Sequence, residues 1–363
     1  MKKIAVDLAE NSYPVYIGTN IFQQIDKLIS KHKLHKNICV IADSKVYNLY
    51  KNRIDNYIKN YNAKISLIKI KAAEKNKSMN TVEEIYFHLL KKGFSRDTLI
   101  LAIGGGITGD IAGFVAATFM RGVQYIQIPT TILSAVDSSV GGKTGVNFGN
   151  AKNIIGAFYQ PKFVLIDSIF FDTLKKEETI CGIGEIFKYA FIADESFYKF
   201  FDKNYEKISK LETKSILSII ERSIKFKSAV VSVDEKESGL RKILNFGHTF
   251  AHAFEIQQKH QIKHGQAVIL GISCALYLSN KLNLISDNQL TDYLRLLLKF
   301  RNEIKIQNTN FSQLYSIMNK DKKNYNNEIR FVLTRGIGKT MIDIAANKAD
   351  VKYAILNGIS LFE

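Results

Sequence analysis

The segment Thr98-Leu-Ile-Leu-Ala-Ile103 runs directly into Gly104-Gly-Gly-Ile-Thr-Gly109, and this junction decides how the first half of the chain folds. A short apolar run of this kind is typical of a strand that is buried on both faces. The glycines have the spacing G-x-G-x-x-G and precede a helical pattern over 110–117, so backbone amides can approach a pyrophosphate at a helix N-terminus. The junction predicts a parallel sheet with a dinucleotide site at a strand end.

The remainder of the usual dinucleotide fingerprint is incomplete. An acidic residue is expected about 20 residues after the glycines, but that region reads Val123-Gln-Tyr-Ile-Gln. Asp43, which ends an earlier apolar run, is an alternative ribose ligand, and a turn or helix cap is an equally good role for it. A second phosphate-loop pattern, Gly336-Ile-Gly-Lys-Thr340, has Leu333 where a glycine is required, so we predict a plain loop there.

Strands and helices alternate around the junction until about residue 167, and helices dominate afterwards. The predicted strands cover 37–42, 63–70, 98–103 and 123–128, with a helix over 81–92. Later helices cover 178–193, 214–231, 249–258, 267–282 and 287–300, and a late strand covers 329–333. The alternation predicts an α/β domain with helices on both faces of its sheet. We therefore expect a dinucleotide-binding α/β domain over 1–168 and a mainly α-helical metal- and substrate-binding domain over 169–363.

Composition and charge narrow the class of protein. The 363 residues are 46% hydrophobic, and the longest mostly apolar run, 267–278, is shorter than the roughly 20 residues that span a bilayer, so we expect no membrane partner. The scattered cysteines Cys39, Cys181 and Cys274 give no disulfide framework and favour a reducing, cytoplasmic location. The net charge of +17 is compatible with nucleic-acid binding, but lysines are spread along the whole chain, so we expect no nucleic-acid partner.

A glycine-rich polar run over 129–153 is difficult to explain as packing. It places Asp137, Lys143, Lys152 and Asn153 among small residues. Lysines beside glycine turns are typical phosphate contacts, and binding groups concentrate on such loops. The run therefore predicts a binding function.

Four of the seven histidines fall between His248 and His264, which suggests a metal centre or an acid–base centre. His248 and His252 are four residues apart and share one helix face. A catalytic zinc usually takes three protein ligands, and two histidines with one carboxylate are a familiar set. Spacing alone favours His248 with His252, and His264 competes. The carboxylate candidates are Glu185, Glu237 and Glu255.

Several charged residues lie outside this histidine cluster. Glu185 and Lys188 are three residues apart on an otherwise apolar helix, where charge is costly unless it is used. Arg241 offers a planar fork that suits a carboxylate or a phosphate. Lys227 and the run Asp321-Lys322-Lys323 supply further cations.

Taken together, these segments resemble the 3-dehydroquinate synthase family of sugar phosphate cyclases. They occur in family order from about residue 40 to about residue 340. The matching motifs are Gly104-Gly-Gly-Ile-Thr-Gly-Asp110, Arg121-Gly, Pro129-Thr-Thr, Val136-Asp-Ser-Ser-Val-Gly-Gly-Lys-Thr144, Lys152-Asn-Ile-Ile-Gly-Ala-Phe-Tyr-Gln-Pro161, Glu185-Ile-Phe-Lys-Tyr189, Leu244-Asn-Phe-Gly-His-Thr-Phe-Ala-His252 and His264-Gly.

The resemblance implies a dehydroquinate synthase-like fold, with a parallel NAD-binding sheet in an α/β N-terminal domain and a mainly α-helical C-terminal domain. It also implies an NAD- and zinc-dependent lyase of the shikimate pathway, with cobalt as an alternative metal, that acts as a homodimer. Such an enzyme converts 3-deoxy-D-arabino-heptulosonate 7-phosphate to 3-dehydroquinate and phosphate. It oxidises one hydroxyl transiently with NAD, eliminates phosphate, reduces the ketone and closes the ring by an intramolecular aldol step.

The same resemblance gives each matching residue an expected role. The zinc ligands are Glu185, His248 and His264, and His252 is left for proton transfer. The other catalytic residues are Lys188, Asp137, Glu237 and Asn245. The substrate-binding residues are Arg121 (from the partner subunit), Lys143, Asn153, Lys227, Arg241, Lys322 and Lys323. The NAD-binding residues are Asp43, Glu74, Lys77, Gly106, Ile107, Thr108, Gly109, Asp110, Thr130, Thr131, Lys143, Lys152, Phe170, Phe171, Asp172 and Thr173.

Three positions depart from the family pattern, and two related functions compete with the expected one. The departures are Lys71-Ala-Ala-Glu74 before the NAD-contacting lysine, Thr173-Leu-Lys after the NAD segment, and Gln266 after His264-Gly. One competitor is a cyclase of the same scaffold with another sugar phosphate, against which Lys227 and Arg241 together favour an acidic sugar. The other is a metal-dependent alcohol or glycerol dehydrogenase, which would accumulate NADH.

Overall fold

The computed structural model describes residues 1–149, 151–307, 309–320 and 329–363. The strands are β1 (Lys2–Val6), β2 (Tyr13–Gly18), β3 (Asn37–Asp43), β4 (Ile65–Ile70), β5 (Thr98–Gly104), β6 (Gln124–Pro129), β7 (Lys143–Phe148), β8 (Ala151–Phe158), β9 (Val164–Asp167), β10 (Arg330–Thr334) and β11 (Thr340–Ala345). The helices are α1 (Ile25–Lys31), α2 (Ser44–Leu49), α3 (Lys51–Lys59), α4 (Met79–Lys91), α5 (Gly106–Thr118), α6 (Lys176–Ala193), α7 (Glu195–Ser209), α8 (Thr213–Val233), α9 (His248–Gln257), α10 (His264–Lys281), α11 (Asp287–Leu297), α12 (Phe311–Asn319) and α13 (Lys348–Ser360).

The first compact unit, Met1–Leu174 with Ile216–Lys236, is built on a seven-stranded sheet. The strand order is β1-β2-β9-β6-β5-β3-β4, and only the β1–β2 pair is antiparallel. The chain goes from β3 outward to β4 and then returns past β3 to β5. The direction of the crossovers therefore reverses between β3 and β5, and in such sheets ligands bind at the carboxyl ends of the strands beside this point.

Both faces of this sheet are covered, as the alternation of its side chains requires. Val40 and Leu101 belong to one apolar core together with residues of α1 and α3. Ile41 and Ile100 point to the opposite core, which contains residues of α4 and α5. The α/β N-terminal part with a parallel sheet that the sequence predicts is confirmed.

The second compact unit, Lys175–Ser215 with Glu237–Glu363, is mainly helical, as predicted. In α6 every residue from Thr179 to Ile192 is buried, and α10 is buried along most of its length. Helices that are apolar on all sides form the interior of a bundle, and α10 packs against α6, α9 and α13. Among the described residues, none of the helices combines the length and the apolar character that crossing a bilayer requires.

Each predicted element matches an observed strand or helix to within a few residues, but several elements were not predicted. These are the strands β1, β2, β9 and β11 and the helices α1, α2, α3, α7, α12 and α13. The polar run over 129–153 contains a π-helix, Ser134–Ser138, and most of an antiparallel hairpin, β7 with β8. The segment Ile216–Lys236, largely α8, belongs to the unit that contains the sheet. The domain limits 1–168 and 169–363 stay a prediction.

Candidate active site and metal centre

A buried carboxylate and two histidines meet in the second unit. Glu185 lies in α6, while His248 and His264 are the first residues of α9 and α10. The Oε1 atom of Glu185 is 3.2 Å from Nε2 of His264 and 3.5 Å from Nε2 of His248. Two ligand atoms of a tetrahedral zinc site, with bonds of roughly 2 Å, lie about 3.3 Å apart. The donor set and its spacing therefore fit a divalent metal ion.

Glycines next to these residues allow the close approach of α6 and α10. A Cβ atom on Gly265 would lie 1.9 Å from the carbonyl oxygen of Cys181, and one on Gly184 would lie 2.3 Å from the carbonyl oxygen of Gly265. Only glycine permits two backbones to pass at this distance. Since Gly184 precedes Glu185 and Gly265 follows His264, the crossing of the helices places the two candidate ligands side by side.

A second glycine contact positions His248. Gly247 immediately before it has φ +78°, in the left-handed region that glycine favours. A Cβ atom on Gly271 of α10 would lie 2.2 Å from the carbonyl oxygen of Gly247. The N-terminus of α9 is thereby held against α10, with the His248 side chain only 11% exposed.

The two carboxylate oxygens of Glu185 have different neighbours. Oε2 lies 2.5 Å from Nζ of Lys188, and both side chains are buried. Oε1 is the atom nearest to the two histidines. Lys188 therefore lies against Oε2, while Oε1 faces the two histidines and is the oxygen placed to act as a metal ligand.

A further carboxylate contacts the other side of the His264 ring. Oε2 of Glu255 is 3.4 Å from Nδ1 of His264, while Nε2 of the same ring faces Glu185. Burial by itself lowers the pKa of His264, but the hydrogen bonds to Glu185 and Glu255 outweigh burial and raise this pKa to about 10. Carboxylates that accept from the distal nitrogen of a ligand histidine fix its tautomer and orientation.

His252 lies one helical turn beyond His248 and is half-buried. Its ring centroid is 5.5 Å from that of His248 and 6.4 Å from that of His264. Within the described part of the chain, the cluster with metal-ligand spacing contains Glu185, His248 and His264, without His252. The geometry thus favours the ligand set that the resemblance implied over the His248–His252 pair that spacing favoured.

In the first unit, the predicted NAD residues gather at the carboxyl ends of the parallel strands. Asp43 ends β3, Glu74 and Lys77 follow β4, and Thr130 and Thr131 follow β6. Gly106, Ile107, Thr108, Gly109 and Asp110 form the first turn of α5 after β5, and Phe170, Phe171, Asp172 and Thr173 follow β9. This is the edge where the strand order reverses, the place at which open α/β sheets bind dinucleotides.

The glycine turn leaves room for a pyrophosphate. Gly105 is the N-cap of α5 and supplies no side-chain cap. Cβ atoms on Gly105 and Gly106 would lie 3.3 Å from Thr131 and 3.0 Å from Ser138, so a side chain at either position would crowd these neighbours beside the helix N-terminus. Free first-turn amides and a small-residue cradle fit an anionic phosphate.

Acidic and basic side chains surround this turn. Lys77 Nζ donates to Oδ2 of Asp110 at 2.5 Å and also to Oδ1 of Asn153. Burial raises the pKa of Asp110, and the neighbouring Lys77 ammonium opposes this shift. Asp43 caps α2 by accepting from the Lys45 amide at 3.0 Å, so the helix-cap role is realised, and the Asp43 carboxylate also lies at the strand end where a ribose ligand is expected.

Asp137 lies in the π-helix Ser134–Ser138 and pairs with Lys227 of α8. Lys227 Nζ donates to the Asp137 carboxylate and, at 2.6 Å, to its backbone carbonyl oxygen. Single π-helical turns are rare and are frequent at functional sites. The pair brings together a predicted catalytic carboxylate and a predicted substrate cation.

The remaining predicted residues are placed individually. Arg121 is exposed and has φ +66°, and Lys143 and Lys152 are exposed on the β7–β8 hairpin. Arg241 is buried in the 3-10 helix Leu240–Asn245, and Asn245 at its end donates to Oε1 of Glu237 at 2.7 Å. Lys322 and Lys323 lie outside the described residues.

Sequence reasoning missed two side chains that contact predicted site residues. Glu255 was considered only as a metal ligand, whereas it lies on the distal side of His264. Asn147 lies within the polar run over 129–153 but was not among the residues predicted to bind a ligand, and its side chain bonds to both Glu74 and Asn153. The position of Asn147 in the polar run could have suggested a binding role. Its contact with Glu74 could not be predicted, because the two residues are distant in sequence.

Comparisons with known proteins show the family to which the chain belongs. The family models described as 3-dehydroquinate synthase N-terminal and C-terminal match residues 67–181 and 182–324. The chain is 42% identical over 359 residues to the 3-dehydroquinate synthase of Pelagibacter ubique (strain HTCC1062), covering 96% of each chain.

Two solved structures share the fold. A 2-deoxy-scyllo-inosose synthase complexed with carbaglucose-6-phosphate, NAD+ and Co2+ has a TM-score of 0.89 at 24% identity, covering 98% of this chain and 99% of that one. The 2-epi-5-epi-valiolone synthase ValA from Streptomyces hygroscopicus subsp. jinggangensis 5008, with NAD+ and Zn2+ bound, has a TM-score of 0.86 at 24% identity, covering 98% of each chain. On the family matches and the full-length identity, the chain belongs to the 3-dehydroquinate synthase family.

Proposed function

We propose that this protein is an NAD- and metal-dependent 3-dehydroquinate synthase, which converts 3-deoxy-D-arabino-heptulosonate 7-phosphate to 3-dehydroquinate and phosphate. The observation that carries the proposal is the meeting of Glu185, His248 and His264 beside the buried Lys188. The 42% identity to a protein named for this activity supports the choice of reaction.

Zinc, or cobalt in its place, is the proposed metal, and Glu185, His248 and His264 are its proposed ligands. A divalent ion held by these three side chains would supply a Lewis acid for the substrate hydroxyl that is oxidised. The two similar structures contain Co2+ and Zn2+, and a set of two imidazoles and one carboxylate suits zinc. Glu255 would hold the His264 ring in the orientation that presents Nε2 to the metal.

NAD is the proposed dinucleotide, with its pyrophosphate at the first turn of α5. Asp43, at the end of β3, is the proposed ribose ligand, and Glu74 and Lys77 are proposed contacts after β4. The crossover reversal between β3 and β5 supports this placement. NAD held by these residues would supply a transient hydride acceptor with no net change in the cofactor.

Proton transfer and substrate orientation are assigned to the polar side chains around these groups. His252 is the proposed proton carrier, since it lies one turn from His248 and outside the proposed ligand set. Lys188 and Asp137 are proposed to hold substrate hydroxyls, and Asn245 with Glu237 to complete this polar set. Histidine is the side chain best suited to accept and donate a proton near neutral pH.

The anionic ends of the substrate are assigned to cations. Arg241 and Lys227 are proposed to bind the carboxylate, because they are the cations that the family resemblance places there and a guanidinium offers a planar fork that matches a carboxylate. Lys143, Asn153 and Arg121 are proposed to surround the phosphate, together with a lysine of 322–323. Arg121 would come from the partner subunit of a homodimer, and a cytoplasmic location is proposed from the three buried free thiols.

The decisive experiment follows phosphate release from 3-deoxy-D-arabino-heptulosonate 7-phosphate. We expect release with NAD present, little without NAD, and loss on treatment with a chelator that added Zn2+ or Co2+ reverses. Absorbance at 340 nm should stay flat because NADH does not accumulate. Steady NADH formation without phosphate release would instead identify a dehydrogenase and contradict the proposal.

A second candidate is a cyclase of the same scaffold that acts on a neutral sugar phosphate, because both similar solved structures are synthases with other names and one of them is complexed with carbaglucose-6-phosphate. Glucose 6-phosphate, the parent sugar of the analogue in one of them, is the matching test substrate. Phosphate release from it that exceeds release from the acidic heptulosonate would favour this candidate. The buried Arg241 favours the acidic substrate.

A further inference from the structure

Asn147, near the end of β7, joins two segments that carry different proposed ligands. Its Nδ2 donates to Oε1 of Glu74 at 2.8 Å and to the Glu74 carbonyl oxygen at 3.3 Å. Its Oδ1 accepts from the backbone N–H of Asn153 at 2.9 Å. One amide group therefore contacts both the loop after β4 and the β7–β8 hairpin.

The backbones of the same two segments are also connected. The Asn147 N–H donates to the carbonyl oxygen of Lys77 at 2.8 Å, and Asn147 forms an isolated parallel bridge with Ser78. The Lys77 ammonium returns to the hairpin by donating to Oδ1 of Asn153. The contacts of Asn147 and Lys77 thus form a closed circuit of hydrogen bonds between the loop after β4 and the β7–β8 hairpin. A shift of either segment would break bonds to the other.

The conformation of Asn153 depends on this circuit. Asn153 has φ +52° within β8, a left-handed conformation that costs free energy in a non-glycine residue, although asparagine tolerates it better than most. The bond from its N–H to Asn147 holds the backbone in this state. The orientation of the Asn153 side chain is therefore set through Asn147 and Lys77.

We propose that Asn147 is a positioning residue that couples dinucleotide binding to binding of the phosphate group. The inference rests on the proposed function, in which Glu74 and Lys77 contact NAD and Asn153 contacts the substrate phosphate. When one ligand binds and orders its segment, the contacts of Asn147 order the other segment as well. The second ligand then binds a segment that has already lost its conformational entropy. The coupling is reciprocal and is typically at least about fivefold in affinity.

Two substitutions separate the contacts of Asn147. Asn147→Ala removes the side-chain bonds to Glu74 and Asn153 together. Asn147→Asp has the same size and keeps an acceptor for the Asn153 N–H, but it cannot donate to Glu74 and places a second negative charge beside it. Asn60→Ala, at an exposed asparagine of the same unit after α3, is the matched control.

The test measures NAD affinity of the metal-loaded protein by calorimetry, with and without saturating inorganic phosphate. In the wild-type chain and in Asn60→Ala, phosphate should tighten NAD binding at least about fivefold. In both Asn147 variants the ratio should fall to about one, with melting temperatures near that of the wild type. A merely structural role would lower stability or both affinities and leave the ratio unchanged.

The outcomes that overturn the inference are distinct from those that overturn the proposed function. An unchanged ratio in Asn147→Asp, or a wild-type ratio of one or below, would refute the coupling while NAD binding stands. If Asn147→Ala fails to fold, the Asn147→Asp ratio decides. A wild-type chain that binds no NAD would refute the proposed function, and the inference with it.

Discussion

The strand-end site of the first unit and the metal centre of the second unit are specified by the sequence in different ways. At the strand ends, the binding groups follow their strands directly, so each local motif already contains its geometry. At the metal centre, Glu185, His248 and His264 come from three different helices. A site at the end of a parallel strand can therefore be predicted from a short sequence motif, whereas a site in a helical bundle depends on how the helix backbones cross.

The largest expected effect tests the ligand set itself. His264→Ala should abolish metal binding and turnover, because a two-ligand remnant holds zinc weakly. NAD binding by the first unit should persist. Metal content by mass spectrometry and NAD affinity by calorimetry check both halves of the comparison.

His252→Ala is the matched control for that variant. It should keep full metal content and lose turnover, since His252 is assigned to proton transfer. Full metal content in His264→Ala, or metal loss in His252→Ala, would restore the pairing that spacing alone suggested.

The next largest effect is expected from replacing a glycine by alanine, which should have different consequences in the two regions. Gly265→Ala should lower the free energy of unfolding by about 3 kcal/mol, because the new Cβ meets the Cys181 carbonyl at 1.9 Å and overpacking of this kind forces the backbone apart. Gly105→Ala should change stability much less and weaken NAD binding instead. Urea denaturation and NAD titration of both variants measure the contrast, and equal stability losses would contradict it.

Arg241 tests whether substrate and dinucleotide affinities are separable. Arg241→Ala should weaken binding of the acidic substrate by roughly 10- to 100-fold, as expected for loss of a hydrogen-bonded charge worth about 1.5–3 kcal/mol, and should leave NAD affinity nearly unchanged. Lys242→Ala, which removes an exposed ion pair with Asp343, is the control. Equal losses of substrate and NAD affinity would argue against the carboxylate role.

The smallest effect concerns the residue behind the metal ligand. Glu255→Gln should lower metal affinity by roughly tenfold, because an amide orients the His264 ring less strongly than a carboxylate does. Competition with a chromophoric chelator gives this affinity without any assay of turnover. An affinity equal to that of the wild type would show that the 3.4 Å contact has no influence on the metal.

Much of the fold and part of the candidate site could be predicted because the signals were local. The run Thr98 to Ile103 forms β5, the following glycines open α5, and the helical spacing after residue 176 marks the bundle. The H-x-x-x-H spacing favours His248 with His252 because both side chains share a helix face, whereas the crossing of α6 with α10 brings His264 close to Glu185. Helix crossing is a long-range property that spacing along one helix does not contain.

The polar run over 129–153 shows the opposite limitation. Its composition indicated a binding function but did not predict the antiparallel pairing of β7 with β8. Glycines are uncommon inside strands, so they weaken the sequence signal for a hairpin. The role of Asn147 depends on Glu74, more than 70 residues earlier in the chain. Only the folded arrangement brings these two residues into contact.

The glycine-mediated crossing of α6 and α10 also bears on the time course of folding. Glu185, His248 and His264 are separated along the chain, so bringing them together in an unfolded chain reduces its conformational entropy by loop closure. A metal ion added during refolding therefore meets its ligands only after the helices have docked. The ion should leave the refolding rate unchanged and slow unfolding, because it stabilises the native state and not the transition state for folding.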